Sequence, residues 1–148
     1  MNDKLLSIKE FTGEGYLPLV DFGSWRVAFL RYLDGLQPDR VDRLERHNET
    51  DEVFVLLAGQ AVLFLGEGDE SIERVFPQEM AYYKVYNVKR SAWHAVILSP
   101  DATILLVENC DTGEKNTEFA RMNFEQRTLL ESVSRQKIDF WKMEKIRA

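Results

Sequence analysis

The chain has 148 residues, a formal net charge of −6 and 45% hydrophobic residues, a size that suits one domain with a core that needs neither disulfides nor a structural metal. Its acidic balance lacks the basic stripe that a phosphate backbone requires, which argues against nucleic acid as a partner. A single cysteine, Cys110, permits no intrachain disulfide and fits a reducing, cytoplasmic setting, the first residues (MNDKLLSIKEF) do not read as a signal peptide, and no apolar run approaches the ~20 residues of a membrane helix.

Along the chain, residues 24–33 (SWRVAFLRYL) are rich in aromatic and β-branched residues and read as a strand, which Gly35 and Pro38 then break. Residues 41–47 (VDRLERH) read as a strand with polar side chains. The clearest signal is 52–65 (EVFVLLAGQAVLFL), two apolar runs joined at Gly59 and Gln60, which reads as a tight hairpin. Both runs are apolar at nearly every position, so both faces should be covered, as in a closed barrel or a sandwich. A polar turn over 66–71 leads to a brief strand at 72–76 that Pro77 stops. Three further strands are predicted at 81–88, 92–98 and 103–108. Short strands in this rhythm predict a mainly β barrel or sandwich over residues 16–110.

The pattern changes after Gly113. Asn123 followed by Gln126 has the form of a capping box. Leu129, Leu130, Val133 and Trp141 fall at broadly helical spacing, and Lys142, Lys145 and Arg147 complement the dipole at a helix C-terminus. One or two helices over 123–147 are expected to pack on the outside of the barrel. No linker, repeat or low-complexity stretch divides the chain, so a single domain over 1–148 is expected.

The chain's two histidines are His47 and His94. Glu45 shares a strand face with His47, and Glu52 follows after the polar turn 48–51. Two imidazoles with up to two carboxylates suit one divalent transition metal such as Fe, Mn, Zn, Ni or Cu. Read alone, Glu52 could equally belong to a solvated acidic turn with Glu49 and Asp51, and each histidine could be a hydrogen-bonded barrel residue. If His94 points inward, Val96 and Leu98 do too, while Trp93 and Ile97 face the other way. Tyr82 and Tyr86 share a face and are candidates to bind substrate. Arg26 and Arg31 lie on opposite faces of their strand, so one should point inward, and Arg31 is the candidate chosen. Cys110 shows no local histidine partner and reads as a small packing residue.

The stretch ERHNETDEVFVLLAGQAVLFL resembles the first motif of the cupin superfamily. His47 matches its second histidine, Glu52 its glutamate and Gly59 its glycine, in full register. VKRSAWHAVIL resembles the second cupin motif, with His94 on its histidine. Glu45 stands where the first histidine is usual, Lys89 and Ser91 replace a proline and a glycine, and Leu98 replaces an asparagine. The resemblance implies a double-stranded β-helix (jelly-roll) barrel, a metal site at Glu45, His47, Glu52 and His94, a homodimer, and a small-molecule ligand such as a sugar or sugar acid. Isomerases, dioxygenases and decarboxylases occur in the resembled superfamily. Three readings follow: a metal-dependent enzyme, a metal-free module that binds or senses a small molecule, and a metal-free acid–base enzyme using His47 or His94 with Glu52.

Overall fold

The computed structural model describes residues 2–140. Trp141, Lys142, Lys145 and Arg147, which the sequence places on a helix, lie outside the described residues. In chain order the strands are β1 (Gly15–Phe22), β2 (Trp25–Arg31), β3 (Arg43–His47), β4 (Glu52–Ala58), β5 (Ala61–Glu67), β6 (Arg74–Glu79), β7 (Tyr86–Val88), β8 (Trp93–Leu98), β9 (Thr103–Asn109) and β10 (Thr117–Arg121), followed by helix α1 (Phe124–Lys137). They form two five-stranded antiparallel sheets, ordered β1-β2-β9-β4-β7 and β10-β3-β8-β5-β6. Among the described residues, no helix is long and apolar enough to cross a membrane.

Strand alternation sorts the side chains into two cores. Ala28, Phe54, Leu56, Leu63, Val96, Leu98, Ile104 and Leu106 meet between the sheets. The opposite parity of the second sheet sends Leu44, Val62, Phe64, Trp93 and Ile97 outward against Leu130 and Ile138 of the helical segment. That second cover explains why Ala61, Val62, Leu63 and Phe64 are all buried in succession. As predicted, Trp93 packs on the outer side, where its Nε1–H donates to the Gly68 carbonyl and the Arg46 guanidinium lies 4.2 Å from its ring centroid.

The outer face of the first sheet is different. Register places Leu17, Phe29, Leu105 and Val55 in one row across four strands, and Val20, Val27, Val107 and Val53 in the next. These two rows carry no charge, and their side chains remain half-buried or exposed.

Helix α1 begins as its sequence signals. Asn123 Oδ1 accepts from the Gln126 N–H, and Gln126 Oε1 accepts from the Asn123 N–H, each at 2.9 Å. The helix buries Gln126, Leu130 and Ser134, four residues apart, on one stripe.

Several predicted elements differ. Residues 59–60 are not a ladder hairpin: β4 pairs with β7 and β9, while β5 pairs with β6 and β8, so Gly59 turns a corner from one sheet to the other. Gly59 has φ +74°, and a Cβ there would stand 2.6 Å from Ala102 Cα, so both backbone and space require glycine. Pro77 does not end its strand. It lies within β6, which occupies a sheet edge, where a residue without an N–H is tolerated. The strand predicted over 81–88 shrinks to β7, because Tyr83 takes a left-handed φ of 61°. Strands β1 and β10 were not predicted; β10 closes the second sheet beside β3.

Candidate metal centre

The site lies between the sheets. Glu45 and His47 come from β3 and His94 from β8, with Glu45 directly opposite His94 in the ladder. Glu52 begins β4, so the turn 48–51 carries the chain from the second sheet to the first and returns a carboxylate to the two imidazoles. That turn is tied down. Asp51 accepts from the Arg90 N–H at 2.7 Å and from Asn87 Nδ2 at 3.1 Å. Ser91, which replaces the motif's glycine, still takes a left-handed φ of 65°. Its N–H donates to the His47 carbonyl at 2.8 Å, and its hydroxyl lies 3.0 Å from Asn48 Oδ1. The turn therefore survives without its glycine.

Glu52 Oε2 lies 3.0 Å from His47 Nε2 and 2.9 Å from His94 Nε2. Glu45 Oε1 lies 4.0 Å from each of the same two nitrogens. His47, Glu52 and His94 are 8%, 6% and 2% exposed. The far ring nitrogens are anchored: His94 Nδ1 lies 2.9 Å from the Ala92 carbonyl oxygen, and His47 Nδ1 lies 2.9 Å from Thr117 Oγ1. Phe54 meets the His94 ring edge-on at 5.9 Å.

Burial alone would push Glu52 up, but hydrogen bonds and charge from both imidazoles outweigh it and hold the carboxyl at about 2. Burial alone would likewise push both imidazoles down; the Glu52 hydrogen bonds and charge reverse that and raise them. A further carboxylate, Glu108, sits on β9 with 7% exposure. Burial and the nearby charge of Glu52 push it above its ordinary value. Tyr16 Oη donates to Glu108 Oε1 at 2.7 Å, and Arg26 reaches Tyr16 Oη at 3.4 Å.

These groups line a cleft of about 590 Å³, with Leu30, Phe54 and Leu106 as apolar wall and the exposed Arg40 and Arg43 also lining it. The three residues predicted to bind substrate do not line it. Tyr82 is 53% exposed and donates to the Gly59 carbonyl at 2.8 Å. The Tyr86 hydroxyl accepts from the Ala81 N–H at 2.9 Å. Arg31 points to the other side of its sheet, toward the Gly13 carbonyl and Thr103 Oγ1. Its strand partner Arg26 takes the inward face instead. Glu108, Tyr16 and Arg26 were not chosen from the sequence. The parity Ile104, Leu106, Glu108 marks Glu108 as an acidic residue on an apolar inward face, the one signal that could have found it.

No protein-family model and no curated protein matches the chain. Solved structures do. The capsular polysaccharide assembling protein CapF from Staphylococcus aureus aligns with TM-score 0.53 and 12% identity over 82% of this chain and 34% of its own. A cupin superfamily protein from Desulfitobacterium hafniense aligns with TM-score 0.48 and 16% identity, over 73% and 86%. Oxalate decarboxylase from Bacillus subtilis aligns with TM-score 0.47 and 19% identity, over 64% and 23%. Together with the likeness to CapF, the two antiparallel sheets show a mainly β barrel. The fold is cupin-like. The chain spans about a third of CapF and under a quarter of the decarboxylase. At these identities the likeness concerns the fold alone.

Proposed function

We propose that this cupin barrel binds one divalent transition metal through Glu45, His47, Glu52 and His94, and acts there on a small polar molecule entering the cleft. The observation that carries this reading is the pairing of His94 on both sides. A carbonyl oxygen only accepts, so His94 Nδ1, facing the Ala92 carbonyl, bears the hydrogen. In the neutral ring, Nε2 then presents a lone pair to Glu52 Oε2, an acceptor 2.9 Å away. Two facing acceptors require a positive charge between them. A mixed imidazole and carboxylate set suits a first-row divalent ion, and anchored far nitrogens are the usual way a ligating histidine is held.

A bound divalent ion would polarise an oxygen of the substrate or acidify a water. The chain's own residues do the rest. Phe54, Leu106 and Leu30 keep water from one side of the donors. Tyr16 and Arg26 present polar groups at the wall, and the exposed Arg40 and Arg43 line the cleft as well, donors that suit an oxygen-rich molecule. The test is titration of chelator-stripped, tag-free protein with divalent metals by calorimetry. One saturable site lost in His94→Ala supports the reading; no binding in the unsubstituted protein removes it.

A second reading has its own support. The raised imidazoles and lowered Glu52 describe ion pairs that satisfy the cluster without metal, which suits a metal-free acid–base site or a sensing module. The same titration separates the two.

We further propose that a second copy of this chain covers the apolar rows on the first sheet. A two-fold interface must be self-complementary, and an uncharged patch on a chain of net charge −6 meets that demand without repulsion.

A further inference from the structure

Glu108 lies outside both sequence stretches that supply the histidines, yet one ligand atom each from His47, Glu52 and Glu108 falls within 4.8 Å of the others. The strand register sets Glu108 opposite Arg26. That guanidinium does not pair with it. Arg26 is clamped by Asp21 at 2.8 Å and passes a single weak contact to Tyr16 Oη at 3.4 Å. Glu108 therefore receives one neutral hydrogen bond, from Tyr16 at 2.7 Å, although it is 93% buried by its 7% exposure. A buried carboxylate needs more compensation than one phenol supplies. A cation held on the side that faces His47 and Glu52 would supply that compensation.

We propose that Glu108 is a fifth ligand of the metal centre, positioned by Tyr16, and that it biases the centre toward manganese(II) relative to zinc(II). This rests on the metal reading given above. With Glu108 the donor set is three carboxylates and two imidazoles. Carboxylate oxygen suits manganese, whereas zinc and copper gain more from nitrogen donors. Tyr16, held in turn by the Asp21–Arg26 pair, fixes the direction of the carboxylate from the first sheet.

The test is manganese(II) binding to the chelator-stripped full chain, followed by electron paramagnetic resonance and calorimetry, with zinc(II) calorimetry alongside. In Glu108→Gln the amide oxygen still accepts from Tyr16, so the wall is kept while a charged ligand is lost. The expected result is a rise of about 100-fold in the manganese Kd, a smaller rise for zinc, and a changed spectrum of the bound ion; Tyr16→Phe should raise the manganese Kd about tenfold. Unchanged manganese affinity and spectrum in Glu108→Gln, with binding intact in the unsubstituted protein, would overturn this proposal and leave the four-ligand centre standing. Absence of binding in the unsubstituted protein would remove both. Should Glu108→Gln not fold, Tyr16→Phe decides, since it removes one hydroxyl from a side chain that is 42% exposed and leaves the ring in place; unchanged manganese affinity there would also overturn the proposal.

Discussion

His94 Nε2 stands 2.9 Å from Glu52 Oε2 across the gap between the two sheets. This contact joins a strand of the second sheet to the first residue of a strand in the other, so the centre and the closure of the barrel depend on the same pair. Replacing His94 by Ala leaves Glu52 with His47 as its close partner. The expected cost in metal-free protein is about 3 kcal/mol, because a buried carboxylate loses a charged partner. A urea denaturation midpoint unchanged from the unsubstituted protein would count against it.

The cluster also sets a pH dependence. In metal-free protein the imidazoles titrate above their ordinary 6.5, so their contribution is full below 6.5 and is lost as pH climbs through the raised values. Glu52 titrates at about 2 instead of 4.5, so its contribution is full above 4.5 and fades as pH falls toward 2. Glu108, raised, adds a loss in the same direction as the imidazoles when pH rises. The contribution of the two imidazoles and Glu52 to the stability of chelator-stripped protein should therefore be greatest between 4.5 and 6.5, with Glu108 moving the optimum toward the lower end of that window. Metal affinity should run the other way, strengthening as pH rises and protons leave the imidazoles. Urea midpoints of stripped protein that stay flat from about pH 5 to about pH 9 would contradict the cluster's ionisation.

Leu130 tests the separation of barrel and helix. It is fully buried in the cluster between α1 and the second sheet, so Leu130→Ala should cost about 2–5 kcal/mol in urea unfolding. The metal donors lie on the other side of that sheet, so metal stoichiometry should not change. Loss of metal in the folded variant would show that the two faces are coupled.

The apolar rows of the first sheet give a fourth expectation. Light scattering should return twice the 17.3 kDa of the chain, and Val107→Lys, in the centre of the patch, should return the monomer mass with its secondary structure intact. A monomer at high concentration in the unsubstituted protein would exclude the second copy as the cover.

How far the sequence foretold these features depends on where the signal is local. The apolar run 61–64, the box at Asn123 and Gln126 and the spacing from His47 to Gly59 are local patterns, and each matches an observed element. Pairing is not local. The glycine that reads as a hairpin at Gly59 turns a corner between sheets, since a corner and a hairpin both need a left-handed residue. Pro77 lies within a strand because β6 is an edge, which no single run of residues reveals. Strand β10 is short and largely exposed, so its alternation is weak. At the site, His47, Glu52 and His94 were legible from motif register, and Ser91 keeps by hydrogen bonding a turn that its motif assigns to glycine. Glu108 is marked only by its parity with Ile104 and Leu106, because its partners, Tyr16 and Arg26, come from strands far away in the chain.

Elemental analysis of tag-free protein after reconstitution and desalting, run beside His94→Ala, bears most directly on the metal centre. About one equivalent of a divalent transition metal is expected in the unsubstituted protein and none in the variant; less than about a tenth of an equivalent in both, or full occupancy in His94→Ala, would show that these residues do not hold a metal.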